Sequence, residues 1–136
     1  MFKKILIPVD MAHPEKAPEM IEAAKSMATD ETQFVLATII HSVPALAELS
    51  VPQEYFDMAE EEARKTLKTI SIDNKVDASL ELRVGQPAND ILTLQGELGS
   101  DLIIIGSHRP GLQDYFLGST ASRVVRHAQC PVLVMR

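Results

Sequence analysis

The sequence predicts a doubly wound α/β fold built on a five-stranded parallel sheet, and three observations lead there. Short, nearly continuous apolar runs occur at residues 4–9, 34–40, 101–105 and 131–135, the pattern of strands covered on both faces. Segments with apolar residues at helical spacing separate them. Strand and helix therefore alternate along the chain, and successive parallel strands return by right-handed crossovers that put helices on both faces of the sheet.

Lys4-Ile-Leu-Ile-Pro-Val9 is the first strand and stops at Asp10. The helix after it presents Ala17, Met20, Ile21, Ala24, Met27 and Ala28 on one face. Phe34 to Ile40 is the second strand, broken at His41-Ser42-Val43-Pro44. From Val51 to Ile70, Phe56, Ala59, Ala63, Leu67 and Ile70 recur at helical spacing, while Glu60, Glu61, Glu62, Arg64 and Lys65 form a solvated face. Val76, Ala78, Leu80, Leu82 and Val84 alternate with mostly polar neighbours, so the third strand is only partly covered and suits a sheet edge. Gly85-Gln-Pro87 ends it. Ala88, Ile91, Leu94 and Leu98 mark a third helix that Gly99 can terminate, and Asp101 to Ile105 is the fourth strand. A glycine-bearing loop runs from Gly106 to Gly118. Ala121, Val124, Val125 and Ala128 outline the last helix, and Pro131 to Met135 the last strand. With no internal repeat or linker, residues 1–136 read as a single domain with one core.

Composition excludes several classes of function. Hydrophobic residues at 46% and charged residues at 24% are ordinary for a globular protein. A net charge of −6 argues against sequence-independent nucleic-acid binding, which needs a basic footprint. No stretch approaches the ~20 apolar residues that cross a bilayer, and the start at Met1-Phe2-Lys3-Lys4 has no small-residue cleavage site, so a cytoplasmic location is expected. Cys130 is the single cysteine, which rules out an internal disulfide and suits packing better than reactivity. His13, His41, His108 and His127 lack metal-ligand spacing, and no metal site is expected.

In doubly wound sheets, ligands bind beyond the carboxyl ends of the strands where strand order reverses, which directs attention to the loops after Val9, Ile40 and Ile105. Gly106 to Thr120 leaves a buried strand and ends at a helix start. Its glycines allow close backbone approach, Ser119 and Thr120 supply hydroxyls, and a helix N-terminus attracts anions, which together make a phosphate cradle. The same residues also suit a plainer reading, with Gly106 and Gly118 serving turns and Ser119 an N-cap. Asp10 can accept hydrogen bonds from ribose hydroxyls or can simply shape a turn. Arg109 matches phosphate geometry, with His108 beside it.

Gly106 and Gly111 have the outer spacing of a P-loop but are followed by Leu112, and no G-x-G-x-x-G or G-x-S-x-G occurs. Binding is therefore favoured over rapid phosphoryl transfer or acyl transfer. A flavin carrier is disfavoured because aromatic residues are only 4% and tryptophan is absent, leaving few rings to stack on isoalloxazine.

Taken in order, Lys4-Ile-Leu-Ile-Pro-Val-Asp10, Gly85-Gln-Pro87, Asp101-Leu-Ile-Ile-Ile-Gly-Ser-His108, Gly118-Ser119 and Val125-Arg-His-Ala-Gln-Cys-Pro-Val-Leu-Val134 resemble the universal stress proteins over the whole chain. The nucleotide-binding members carry G-x2-G-x9-G-[ST]. Gly106 matches its first position and Gly118-Ser119 its last, while Arg109 stands at the second glycine with eight residues between it and Gly118. A branch of the family carries Ser-His-Arg-Pro here and includes ATP binders, which implies a charged clamp at Arg109 in place of backbone amides.

The resemblance implies a five-stranded parallel sheet of order 3-2-1-4-5, the adenine nucleotide alpha hydrolase-like fold. It puts Pro8, Val9 and Asp10 beside adenosine, Ile39 at the adenine edge through its backbone, and Gly106, Ser107, His108, Arg109, Gly118, Ser119 and Thr120 around ribose and phosphates. The implied ligand is ATP, with or without Mg2+, and the implied role a regulatory module of the stress response. Slow ATP hydrolysis or self-phosphorylation at Ser119 or Thr120 is the most catalysis expected. The resemblance also implies a homodimer through the last strand at Val132, Leu133 and Val134, able to pair further into a tetramer. A nucleotide-free homodimeric interaction module of the same fold is the alternative, and Arg109 is the residue that separates the two.

Overall fold

A computed structural model describes residues 1–42, 50–107 and 117–136. The strands β1 (Lys4–Pro8), β2 (Gln33–His41), β3 (Ala78–Gly85), β4 (Leu102–Gly106) and β5 (Val132–Met135) form one parallel sheet of order β3-β2-β1-β4-β5. A 3-10 turn, Pro14–Lys16, leads into α1 (Ala17–Ser26), and α2 (Gln53–Asp73), α3 (Pro87–Leu98) and α4 (Ser119–His127) complete the connections. The expected order 3-2-1-4-5 is the one observed. Its direction reverses between β1 and β4.

The apolar runs are continuous because the central strands are covered on both sides. Ile5, Ile7, Leu36 and Ile104 pack with Ala17, Met20, Ile21 and Ala24 of α1 and with Leu67 and Ile70 of α2. Their sequence neighbours Leu6, Val35, Ala37, Ile103 and Ile105 pack instead with Ala88, Ile91 and Leu94 of α3 and with Ala121 and Val124 of α4. Successive strand residues thus alternate between two cores. At the edge, β3 has no fully buried residue, and Val84, expected on its covered face, is 50% exposed near the strand's end. Val125 is likewise exposed, because a 100° step from Val124 turns it off the buried face of α4. Ala59 is exposed too, four residues ahead of Ala63, where α2 looks into a cleft.

The helix ends follow local chemistry. Gly99 closes α3 in the left-handed conformation at φ 66°, with its N–H on the Gln95 carbonyl. At the other end of α3, Pro87 stands in the first turn and the Asp90 carboxylate accepts the Gln86 N–H at 2.7 Å. A Cβ on Gly85 would lie 2.2 Å from that carboxylate oxygen, so the Gly85-Gln-Pro87 sequence reserves space for the cap.

Asp101 ties the start of β1 to the start of β4. Its carboxylate accepts the Lys3 N–H at 2.8 Å and the Lys4 N–H at 2.9 Å, while the Lys4 ammonium donates to the Leu98 carbonyl at 3.0 Å. Partial burial acts to raise the Asp101 pKa, but the backbone donors of Lys3 and Lys4, with its own amide and the Lys3 charge, outweigh it and hold the carboxyl below its usual range. A carboxyl depressed in the folded state adds stability above its unfolded pKa of about 3.9 and loses it as pH falls through the lower folded value. Asp101→Ala is therefore expected to cost roughly 1 kcal/mol at pH 7, a solvent-screened clamp, and in urea titrations the gap from wild type should narrow as pH falls through the depressed carboxyl value. A gap independent of pH would exclude the charged clamp.

Cys130 is half-buried and packed against the second core, and its burial, followed by the nearby Asp101 charge, pushes the thiol above its ordinary value. That suits packing rather than nucleophilic chemistry. Among the described residues no helix is long and apolar enough to cross a membrane.

Candidate functional site

A cleft of ≈ 260 Å³ opens at the carboxyl ends of the strands where the sheet order reverses, slightly below the ~300–1,000 Å³ usual for small-ligand pockets. Pro8, Val9 and Asp10 line it from β1, Ile39 from β2, and Gly106 and Ser107 from β4. Gly118, Ser119 and Thr120 complete the opposite wall at the start of α4. Nine of the residues expected at the site thus share one cavity, and His108 and Arg109 lie outside the described residues.

The opening has a backbone cause. Lys3 and Val9 bond to β2, through Gln33 N–H to Lys3 carbonyl and Val9 N–H to Ala37 carbonyl, whereas the Lys4 carbonyl accepts from Asp101. Odd residues of β1 therefore face β2 and even residues face β4, which turns Pro8 toward β4. Proline has no N–H to give there. The β1–β4 ladder accordingly pairs only Ile5 with Leu102 and Leu6 with Ile103, while β1–β2 continues to Pro8 and Ala37. Beyond those last pairs the two central strands part.

The same alternation exposes Ile39. Ala37 presents its carbonyl to β1, so Ile39, two residues on, directs its N–H and C=O to the same side, past the end of β1. Thr38 is buried between them, and its hydroxyl donates to the Val9 carbonyl at 2.8 Å, which fixes the chain just ahead of Asp10. One carboxylate oxygen of Asp10 accepts the Ala12 N–H at 2.9 Å, and its carbonyl accepts from His13. The turn reading of Asp10 is correct, and it still leaves the second carboxylate oxygen to the cleft.

The glycines do not serve turns. Gly99 is the glycine with positive φ among the described residues, Gly106 continues β4, and Gly118 has φ −60° and ψ 158°, a conformation open to any residue. Among the described residues, a Cβ on Gly106 would meet the Met20 sulfur at 3.6 Å and one on Gly118 the Ser107 hydroxyl at 3.6 Å. What glycine contributes at both positions is a bare backbone on the wall of the cleft.

Gly118, not Ser119, is the N-cap of α4, and no side chain caps the helix. Gly118 gives its own N–H to the buried Ser107 hydroxyl at 2.8 Å, so Ser107 latches the end of β4 to the start of α4. The first helical bond is from Ser122 N–H to the Gly118 carbonyl, which leaves the amides of Ser119, Thr120 and Ala121 without helical partners. No acidic residue stands in that first turn, whereas α1, α2 and α3 carry Glu19, Glu54 and Asp90 there. Unpaired amides at the positive end of a helix, facing a cleft, are suited to an anion.

The sequence reading missed Lys16, Met20 and His41, which also line the cleft. Met20 was legible only as a core residue, and it serves both roles at the top of α1. Lys16 follows Asp10 by six residues at the helix entrance, a placement that only the loop's path reveals. A second cleft of ≈ 430 Å³ shares Asp10, Ile39 and His41 with the first and reaches Ala59, Glu62 and Thr66 of α2. Among the described residues no group of three histidine, cysteine or carboxylate side chains could hold a metal ion.

Residues 1–136 match the family model described as the universal stress protein family. The chain belongs to that family. This universal stress protein is 33% identical over 145 residues to universal stress protein G of Shigella flexneri, with all of both chains covered. Among solved structures it is similar to the hypothetical protein MJ0577, with a TM-score of 0.81 and 28% identity over 99% of this chain and 96% of that one. A family member from Arabidopsis thaliana, solved with AMP bound, shares the fold at a TM-score of 0.63 and 19% identity, over 98% of this chain and 90% of that one.

Proposed function

We propose that this universal stress protein is an ATP-binding regulatory module of the stress response. The observation that carries the reading is the bare wall of the cleft: Gly106 and Gly118 have no conformational reason to be glycine, yet each leaves backbone beside a cavity that also meets the unpaired amides of α4. In this reading the α4 amides and Thr120 receive phosphate oxygens, the free oxygen of Asp10 accepts from the ribose, and the outward backbone of Ile39 pairs with the base edge. The AMP-bound relative from Arabidopsis lends the ligand class, and the cleft argues for it independently. Any Mg2+ would arrive on the triphosphate and be held largely by phosphate and water.

Millimolar ATP should raise the melting temperature, and mass spectrometry of freshly purified protein should find retained adenine nucleotide. Absence of both overturns the reading.

Two copies pair through β5 in the same proposal. Val132, Leu133 and Val134 form the last strand of the sheet, Leu133 is 36% exposed, and Val125 lies exposed on the adjoining helix. An open apolar edge is a pairing surface. Light scattering at micromolar concentration should give a dimer, and a monomeric mass would rule this out.

A further inference from the structure

Lys16 is the sole lysine or arginine among the described residues lining the cleft where the sheet order reverses. It is half-buried, at the N-cap of α1, where the helix dipole disfavours a cation. Asp10 lines the same cavity, yet the ammonium forms no ion pair with it or with any other carboxylate among the described residues. One Asp10 oxygen accepts the Ala12 N–H, and the other stays open to the cleft without pairing with the ammonium. Lys16 therefore gives the fold no evident electrostatic benefit in return for its partial burial.

The cleft has a second positive feature. The α4 amides approach from the helix layer on one face of the sheet, and α1, which Lys16 immediately precedes, lies on the other. One phosphate can be received by the amides alone. A longer phosphate chain brings further charge into the same cavity, and an ammonium on the facing wall is the group that would receive it.

We infer that Lys16 is a specificity residue that makes the cleft favour a nucleoside polyphosphate over a monophosphate or a free nucleoside. This rests on reading the cleft as a nucleotide site. Calorimetric titration of the full chain with ATP, AMP and adenosine tests it, on wild type, Lys16→Met and Lys16→Arg, each first shown to be folded by circular dichroism. Lys16→Met should weaken ATP binding roughly 10-fold, the size of one charge-assisted hydrogen bond, and leave adenosine unchanged. Lys16→Arg should keep ATP affinity within about 3-fold because the charge is retained. The wild-type preference for ATP should shrink with rising salt, and that of Lys16→Met should do so less steeply. Equal losses for ATP and adenosine, or no loss for either, overturn the assignment of Lys16 while leaving the nucleotide site standing. Wild-type protein that binds none of the three ligands overturns both.

Discussion

Replacing Gly106 with valine is expected to weaken ATP binding by roughly 100-fold while leaving the fold intact. Valine suits the extended backbone at the end of β4, and among the described residues a Cβ there meets the Met20 sulfur at an ordinary 3.6 Å. The folded protein therefore has room for the first atom of the new side chain. Its two methyl groups then enter the cleft on the wall where a ligand must lie against bare backbone. Overpacking of this kind costs about 1–3 kcal/mol, and in a binding site the upper end corresponds to about 100-fold in affinity. The decisive comparison is between two melting curves. Without ATP the variant and wild type should melt within a few degrees of each other, and with ATP only the wild type should gain stability. A variant that keeps the ATP-induced rise would mean that the space beside Gly106 is not where the ligand sits.

The largest effect on stability is expected at Leu6. It lies at the middle of the central strand β1, is fully buried, and packs in the core shared with Val35, Ile103, Leu94 and Val124. Leu6→Ala should cost about 2.7–5 kcal/mol, because neighbours held by strands on both sides can collapse only partly into the void. That is a large share of the ~5–15 kcal/mol that holds a domain together. Urea denaturation should show a lower midpoint at unchanged slope. Ile72→Ala, at a side chain 66% exposed, supplies the contrast and should change stability by no more than about 0.5 kcal/mol. Similar costs at the two positions would contradict the core described here.

The strands and helices were legible because burial leaves a local record. Residues two apart on β2 share a face, and residues three or four apart on α1 share another, so both periods could be read without knowing what lay opposite. Of the six residues read as one buried face, Ala17, Met20, Ile21 and Ala24 form it, while Met27 and Ala28 lie past the end of α1 at Ser26 and are only partly buried. Where neighbours rather than period decided exposure, the reading slipped: Val84 runs out of cover at the sheet edge, and Ala59 faces a cleft.

For the candidate site, the one-dimensional pattern determined the end of the sheet to search, with Asp10 and the Gly106 to Thr120 loop, because loops after parallel strands must emerge at the same end, while the family resemblance supplied Pro8, Val9 and Ile39. Only the tertiary structure decided how those residues act. Pro8 parts β1 from β4 only because register turns its missing donor that way, Thr38 reaches Val9 only across a strand pair, and the lack of an ion pair at Lys16 among the described residues shows only once their carboxylates have positions. Gly106 and Gly118 could be separated from turn glycines only by their backbone angles. Periodicity is carried by neighbours along the chain, whereas a hydrogen bond, an opening or an unmet charge depends on distances between residues far apart in sequence, and those distances exist only after folding.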